Sequence, residues 1–185
     1  MSFNSFSPSR PWFNRTIAFA LGIVLLGNAM ASPTWRDEVP DALVVGRGEM
    51  RWLGFRIYRA VLWGDRQPFD PGSKFALQLT YYRSISRDRL VNTSMDEMRR
   101  IGSAPRDEVG QTRWRSLLQG AFVDVQPGDQ LTGVSIPGYG MRFYHGEKQL
   151  ADISDPVLAK AFFDIWLNEK SRDPELRSQL LGKSP

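Results

Sequence analysis

The amino-acid sequence predicts an α+β domain in which helices cover one face of an antiparallel sheet. Segments with strand character are grouped in hairpins, rather than alternating singly with helices, and two helical pairs separate or follow those groups. The chain has 185 residues, of which 42% are hydrophobic, enough apolar material for the core of one domain. The second face of such a sheet must be solvated, covered by a further layer or used for binding.

Strand character is recognised from β-branched and aromatic residues between turn signals. It occurs at 43–45, 50–63, 75–82, 131–136, 140–144 and 148–153. Apolar residues occupy both parities of 50–63, which predicts one strand that is covered on both faces. The residues His145-Gly146-Glu147 predict a hairpin turn between the last two strands.

Apolar residues at helical spacing follow each group of strands. They occupy 90–98, 114–122 and 157–166, and a short final helix is predicted at 173–182. Ser86 is positioned to cap the first of these helices, and Asp155 followed by Pro156 is a strong start for the third. The order of elements is therefore strands, helix pair, strands, helix pair.

The first thirty-one residues have the composition of a secretory signal peptide. Arg10 and Arg15 precede an apolar run at 17–27, and Ala29 and Ala31 follow with the spacing of a cleavage site. The apolar run is shorter than the roughly 20 residues that span a bilayer. We expect cleavage after Ala31, a periplasmic domain at 32–185 and no stable membrane insertion; a retained anchor is the alternative.

Composition excludes several kinds of site. There is no cysteine, which excludes disulfides, thiolate zinc sites and a cysteine nucleophile, and the single histidine, His145, excludes a multi-histidine metal site. The net charge is +4, and loss of Arg10 and Arg15 would leave +2 without any long basic tract. Neither nucleic-acid binding nor a glycine-rich phosphate loop is supported, and no cofactor or metal is implied.

Two groups of side chains are candidates for binding a small molecule. Arg56 shares strand parity with Trp52 and Tyr58, and a guanidinium beside a phenol suits a carboxylate, enolate or phenolate. Tyr81 ends the next strand, where its hydroxyl could polarise a ligand carbonyl. The alternative is that the arginines lie over aromatic neighbours at the sheet surface and the tyrosines are ordinary packing residues.

Four segments taken in order resemble the bacterial chalcone isomerase-like proteins. They are 46–60 (GRGEMRWLGFRIYRA), 76–87 (ALQLTYYRSISR), 128–133 (GDQLTG) and 163–182, with FDIWL near its start and LR before LLG near its end. The resemblance covers about 40–182. It implies an open-faced β-sandwich in which helices are layered against a large antiparallel sheet, with a cleft between sheet and helices.

The resemblance also implies two kinds of activity. Plant members are cofactor-free intramolecular lyases, in which an arginine steers a phenolate while a tyrosine, an asparagine and threonines support an enolate. Related members bind a fatty-acid carboxylate instead. Arg47, which precedes Gly48, best matches the plant arginine, and Tyr58 lies near the strand threonine. The helix that carries the plant tyrosine and asparagine reads DRLVNTSMDE at 88–97, without a tyrosine, and Asn92 is out of register.

The sequence therefore supports three hypotheses about function. The first is an exported protein that binds a small amphipathic acid, of fatty-acid or phenolic-acid type, through Arg47, Arg56, Tyr58 and Tyr81, without chalcone cyclisation. The second is an isomerase or intramolecular lyase acting on an enone-like substrate, with Arg47 stabilising an oxyanion and a tyrosine polarising it. The third is an interaction module whose exposed sheet face binds another protein; the sequence does not identify such a partner.

Overall fold

The computed structural model describes Met1 and residues 33–183, and residues 33–183 belong to one compact unit. The predicted signal peptide at 1–31, apart from Met1, lies outside the described residues. Within the described part of the chain, no helix has the length and apolar character needed to cross a bilayer.

In the part of the chain that the structure describes, six antiparallel strands form one sheet whose spatial order follows the chain order. They are β1 (Leu43–Trp52), β2 (Phe55–Gly64), β3 (Phe75–Tyr81), β4 (Gln130–Ile136), β5 (Gly140–His145) and β6 (Lys148–Ile153). The predicted antiparallel sheet is confirmed. The connection between β3 and β4 contains two helices, whereas the connections between the other strands are short.

Five helices accompany the sheet in the described residues. They are α1 (Trp35–Glu38), α2 (Arg87–Ile101), α3 (Glu108–Ala121), α4 (Pro156–Leu167) and α5 (Pro174–Leu180). The predicted caps are present: the Ser86 hydroxyl accepts from the Arg89 amide, and the Asp155 carboxylate accepts from the amides of Val157 and Leu158. These side chains satisfy amide groups that have no partner inside the helix.

The segment predicted as one strand at 50–63 is a hairpin. The strands β1 and β2 are joined by Leu53 and Gly54, which have positive φ angles of 50° and 82°. A two-residue turn with both φ values positive is the ordinary hairpin connection, and it is usually formed by Asn-Gly. Leucine at the first position carries no turn signal, so the reversal was hidden within a run of aromatic residues.

The helices α2–α5 cover the inner face of the sheet and enclose the main core. Fully buried examples are Leu62, Met95, Leu118 and Leu158. The outer face has a small second core in which α1 places Trp35 against Trp63, Val134 and Tyr144. The rest of the outer face is polar, so the open-faced description holds for most of the sheet.

The helix α5 lies directly on β1. A β-carbon added to Gly46 would be 2.0 Å from the backbone oxygen of Gln179, and one added to Gly48 would be 2.7 Å from the Leu176 side chain. Glycine is therefore required for this close approach, and it sets Gly46 and Gly48 on the inner face. The residue between them, Arg47, points to the outer face.

Candidate ligand cavity

A cavity of about 610 Å³ lies between the inner face of the sheet and the helices α2, α4 and α5. Its volume is within the range of small-molecule sites. Most of its wall is apolar and is supplied by Leu77, Leu79, Phe122, Leu131, Phe143 and Phe162. Four of these residues, Leu77, Leu79, Leu131 and Phe143, project from β3, β4 and β5 toward the helices, so the regular pleat of the sheet forms the cavity floor. Phe162 belongs to α4.

Two tyrosines from neighbouring strands line one part of this cavity. Tyr58 in β2 pairs with Tyr81 in β3, and their rings meet edge to face at 5.9 Å between centroids. The indole N–H of Trp166 in α4 donates a hydrogen bond of 3.0 Å to the Tyr58 hydroxyl. The Tyr58 hydroxyl thus retains its own proton to donate, and the Tyr81 hydroxyl has no hydrogen-bond partner among the described residues.

Burial raises the pKa of the Tyr58 hydroxyl well above its ordinary value, and the hydrogen bond from Trp166 only partly offsets this effect. Burial raises the pKa of the Tyr81 hydroxyl in the same way. Both phenols are therefore neutral at any physiological pH and act as hydrogen-bond donors. Two neutral donors beside an apolar wall can hold a ligand carbonyl, carboxylate or developing oxyanion.

A buried carboxylate lies near Tyr58. Glu97 in α2 is only 8% exposed, and it forms ion pairs of 2.9 Å with Arg100 and 2.5 Å with Arg172. The charges of Asp173 and Glu97 further oppose ionisation of the Tyr58 hydroxyl, and thus raise its pKa. These acids make this part of the wall a poor place for a second anion, because the two arginines near Glu97 are already paired.

Two other arginines line the cavity from exposed positions. Arg83 follows β3, and its guanidinium lies 4.7 Å from the centre of the Phe55 ring. Arg89 belongs to the first turn of α2. Neither side chain forms an ion pair within the described part of the chain, so both guanidinium groups are available to an anion.

The structure separates the four residues predicted to bind ligand. Tyr58 and Tyr81 line the cavity, whereas Arg47 and Arg56 do not. Arg56 lies on the outer face because Met50 pairs with Tyr58 and Arg51 pairs with Arg56, which leaves Ile57 as an extra residue in β2. Such a bulge reverses strand parity, so the predicted grouping of Arg56 with Tyr58 and Trp52 is wrong.

Arg56 has partners of its own on the outer face. Its guanidinium donates to the Glu49 carboxylate and to the Tyr82 hydroxyl, and it lies 4.0 Å from the centre of the Tyr82 ring. The hydrogen bond from Arg56 is the main reason that the pKa of Glu49 is lowered. Arg56 therefore matches the alternative drawn from the sequence, an arginine lying over an aromatic neighbour at the sheet surface.

Four residues that line the cavity were not predicted as site residues from the sequence: Arg83, Arg89, Glu97 and Trp166. Glu97 carried a usable signal, since it lies on the apolar face of α2, three residues after Ser94 and seven after Leu90. A charged residue on such a face needs a partner. Trp166 was predicted to be a core residue of its helix. It is buried there, and its indole N–H also donates a hydrogen bond to the Tyr58 hydroxyl. Arg83 and Arg89 had no local signal.

A second groove of about 600 Å³ lies away from this cavity, near the turn between β4 and β5. It is bordered by Phe69, Phe163 and Leu167. Its lysine from α4, Lys160, is paired with Asp164 at 2.7 Å. No tyrosine lines it, and none of the four predicted binding residues contributes to it.

Comparison with known proteins agrees with this architecture. A family model described as chalcone isomerase-like matches residues 65–182. An uncharacterised protein of Haemophilus influenzae is 26% identical over 141 residues, which are 76% of this chain and 68% of that protein. A solved structure of a fatty-acid binding protein from Arabidopsis thaliana matches with a TM-score of 0.56 and 14% identity, over 77% of this chain and 87% of that one. At that identity the structural similarity establishes the shared fold.

Proposed function

Because this chain belongs to the chalcone isomerase-like family, we propose that it binds one small amphipathic acid in the cavity between sheet and helices. The ligand class is a fatty acid or a phenolic acid, held without covalent chemistry. We further propose that the protein is exported through its first thirty-one residues and works in the periplasm. The name of the Arabidopsis structure, a fatty-acid binding protein, supports this ligand class for this fold.

One observation carries the proposal. The cavity combines an apolar wall with a small number of convergent polar groups, the arrangement expected of a site that holds an apolar body and one polar head. Its volume of about 610 Å³ exceeds that of isolated packing defects.

The charges suggest where the acid head is held. Glu97 and Asp173 lie near Tyr58, and the arginines next to Glu97 are occupied by it. Arg83 and Arg89 line the cavity without an acidic partner among the described residues. We therefore assign the anionic head to Arg83 and Arg89, assisted by the free hydroxyl of Tyr81. Arg47 was the anchor expected from the family resemblance, and its outer-face position removes it from the cavity.

Displacement of a fluorescent fatty acid tests this assignment directly. cis-Parinaric acid would be added to purified protein, and its release by unlabelled fatty and phenolic acids measured, after mass spectrometry of any acid that co-purifies. Arg89→Ala should weaken binding of the acids by roughly tenfold or more, because a hydrogen bond to a charged group contributes about 1.5–3 kcal/mol. Arg47→Ala is the matched control and should bind like the parent protein.

Two results would count against the proposal. Absence of both a co-purified acid and a displaceable probe would remove ligand binding altogether. If Arg89→Ala bound the acids as tightly as the parent protein while Arg47→Ala bound them more weakly, the anionic head would lie at Arg47 on the outer face and not in this cavity.

A second candidate function rests on the two phenols. Tyr58 and Tyr81 are neutral donors that could stabilise an enolate, as an intramolecular lyase requires. Turnover of naringenin chalcone above its spontaneous rate, lost in a Tyr58→Phe and Tyr81→Phe double variant, would favour this reading. The lack of a tyrosine at 88–97, where plant members carry one, favours binding without cyclisation.

A further inference from the structure

The turn between β1 and β2 exposes three large apolar side chains at one end of the molecule. We call residues 51–56 the hairpin tip. Within it Trp52 is 51% exposed, Leu53 is 81% exposed and Phe55 is 58% exposed. Trp52 and Phe55 are directly paired across the two strands, with Leu53 at the apex between them. The tip is therefore a convex apolar point rather than a groove.

Leu53 is unfavourable for the stability of the isolated protein in two respects. Its φ of 50° is a left-handed conformation, which asparagine and glycine adopt more readily than leucine. Its side chain, 81% exposed, gains little packing in return. A leucine in an unfavourable backbone conformation, with its apolar side chain exposed to water, indicates a contact that the isolated chain does not provide.

Basic residues surround the tip. The hairpin formed by β1 and β2 contains four arginines, Arg47, Arg51, Arg56 and Arg59, and one acidic residue, Glu49, a net charge of +3. Arg51 and Arg56 belong to the tip itself, and Arg83 lies over the Phe55 ring from the neighbouring strand end. Tryptophan, phenylalanine and leucine beside arginines form the combination that enters the interface of an anionic bilayer.

The tip also adjoins the ligand cavity. Trp52 lines the cavity while half of its surface remains exposed, and Arg83 also lines the cavity from an exposed position. A surface that contacted the tip would therefore lie next to the part of the cavity lined by Trp52 and Arg83, and the acid of the proposed function could exchange there.

We propose that the hairpin tip, through Trp52, Leu53 and Phe55 with their flanking arginines, docks the protein peripherally on the surface of a bilayer that contains anionic lipid. A bilayer fits a convex apolar point better than a folded partner, which would need a matching groove, and its anionic headgroups complement the hairpin's charge. A change at Leu53 tests docking separately from ligand binding, because Leu53, unlike Trp52, does not line the cavity.

Vesicle flotation tests the proposal with the full chain. Vesicles of phosphatidylcholine mixed with phosphatidylglycerol should carry the protein, whereas vesicles of phosphatidylcholine alone should carry much less. Leu53→Asn should weaken binding by roughly tenfold, because the apex side chain no longer enters the interface. Asparagine suits the turn, so this variant should be at least as thermally stable as the parent. Arg51→Gln should weaken binding to anionic vesicles by about fivefold.

Val109→Ser is the matched control, since Val109 is 80% exposed on α3, which packs mainly on α2 and on β6 at the opposite edge of the sheet from β1. It should bind vesicles like the parent protein. The proposal is overturned if anionic vesicles carry no protein, if Leu53→Asn floats like the parent, or if Val109→Ser is weakened equally. If residues 1–31 caused the flotation, Leu53→Asn would float like the parent protein, because every variant retains those residues.

Self-association is the remaining outcome. Sedimentation velocity could show dimers that Leu53→Asn abolishes, while the protein binds no vesicles. The tip would then contact a second copy of the chain rather than a bilayer, and the proposal would be overturned. Displacement of cis-parinaric acid, measured without vesicles, reports on the cavity alone, so failure of docking and failure of ligand binding are distinguished.

Discussion

The indole N–H of Trp166 donates a hydrogen bond of 3.0 Å to the hydroxyl of Tyr58, linking the helix α4 to the sheet at the wall of the cavity. The two residues are 108 positions apart in the chain. The bond orients the Tyr58 hydroxyl while leaving its proton free for a ligand. It also joins helix and sheet directly at the cavity wall.

Tyr58→Phe should lower the free energy of unfolding by about 1 kcal/mol, because the Trp166 indole N–H would lose its partner. Urea denaturation measures this change. Tyr81→Phe is the matched control and should change stability by less than about 0.5 kcal/mol, since no described residue bonds to the Tyr81 hydroxyl. A larger loss for Tyr81→Phe than for Tyr58→Phe would contradict the assignment of these hydroxyls.

Glu97→Gln should destabilise the protein by about 1–3 kcal/mol, because it leaves Arg100 and Arg172 without the buried carboxylate that pairs with both. The expected loss is smaller than the full cost of breaking a buried ion pair, because both arginines are partly exposed. Asp96→Asn removes a neighbouring, exposed ion pair with Arg99 and should cost less than about 0.5 kcal/mol. Equal effects of these two changes on the urea midpoint would refute the distinction.

Asp155 should make stability depend on pH below about 4. Burial opposes ionisation of its carboxyl, but hydrogen bonds from the Leu158 amide and Arg113, together with that from the Val157 amide, outweigh burial and lower the pKa below the ordinary 3.8. A lowered pKa in the folded state stabilises the protein above the ordinary value, and this contribution is lost as the pH falls through the lowered one.

Asp155→Asn keeps a capping side chain but removes the titrating group. The difference in unfolding free energy between parent and variant should be constant near neutral pH, and should shrink as the pH falls below about 4. Urea denaturation across this range measures it. A difference that stays unchanged down to the lowest pH would show that the carboxylate charge contributes nothing at this cap.

Gly46→Ala and Gly120→Ala should change stability in opposite directions. The new methyl group at Gly46 would meet the Gln179 backbone oxygen at 2.0 Å, so α5 must shift, at a cost of about 2 kcal/mol or more. Gly120 is inside α3 with no atom near an added β-carbon, and alanine there should stabilise by about 0.5–1 kcal/mol. Thermal denaturation of both variants would test the contact between α5 and β1.

The local elements were predictable because each depends on neighbouring residues. The period of apolar residues identified α2, α3 and α4. Ser86 and Asp155 identified the caps of α2 and α4, and the turn at His145-Gly146 identified the last hairpin. The grouping of strands then indicated an antiparallel sheet with helices on one face. The first hairpin was missed because Leu53 is not a turn residue, and hydrophobicity alone does not show where a strand reverses.

The candidate site was only partly predictable. Tyr58 was singled out by strand parity and Tyr81 by its place at the end of a strand, and both are local properties. Arg56 was misplaced because the bulge at Ile57 arises from pairing with β1, so parity counted along one strand failed there. Arg83 and Arg89 were missed because the tertiary fold brings the end of β3 and the start of α2 to the cavity, and no local pattern in the sequence shows this.

The sequence by itself determined the α+β class, the helices, most strands and the chemical types available for a site. Tertiary structure alone decided which arginines face the cavity, that Glu97 is paired from two directions, and that Trp166 reaches Tyr58. The physical reason is one of range. Periodicity and capping act over a few residues, whereas the side of a sheet on which a guanidinium lies depends on strand register and on helices distant in the chain.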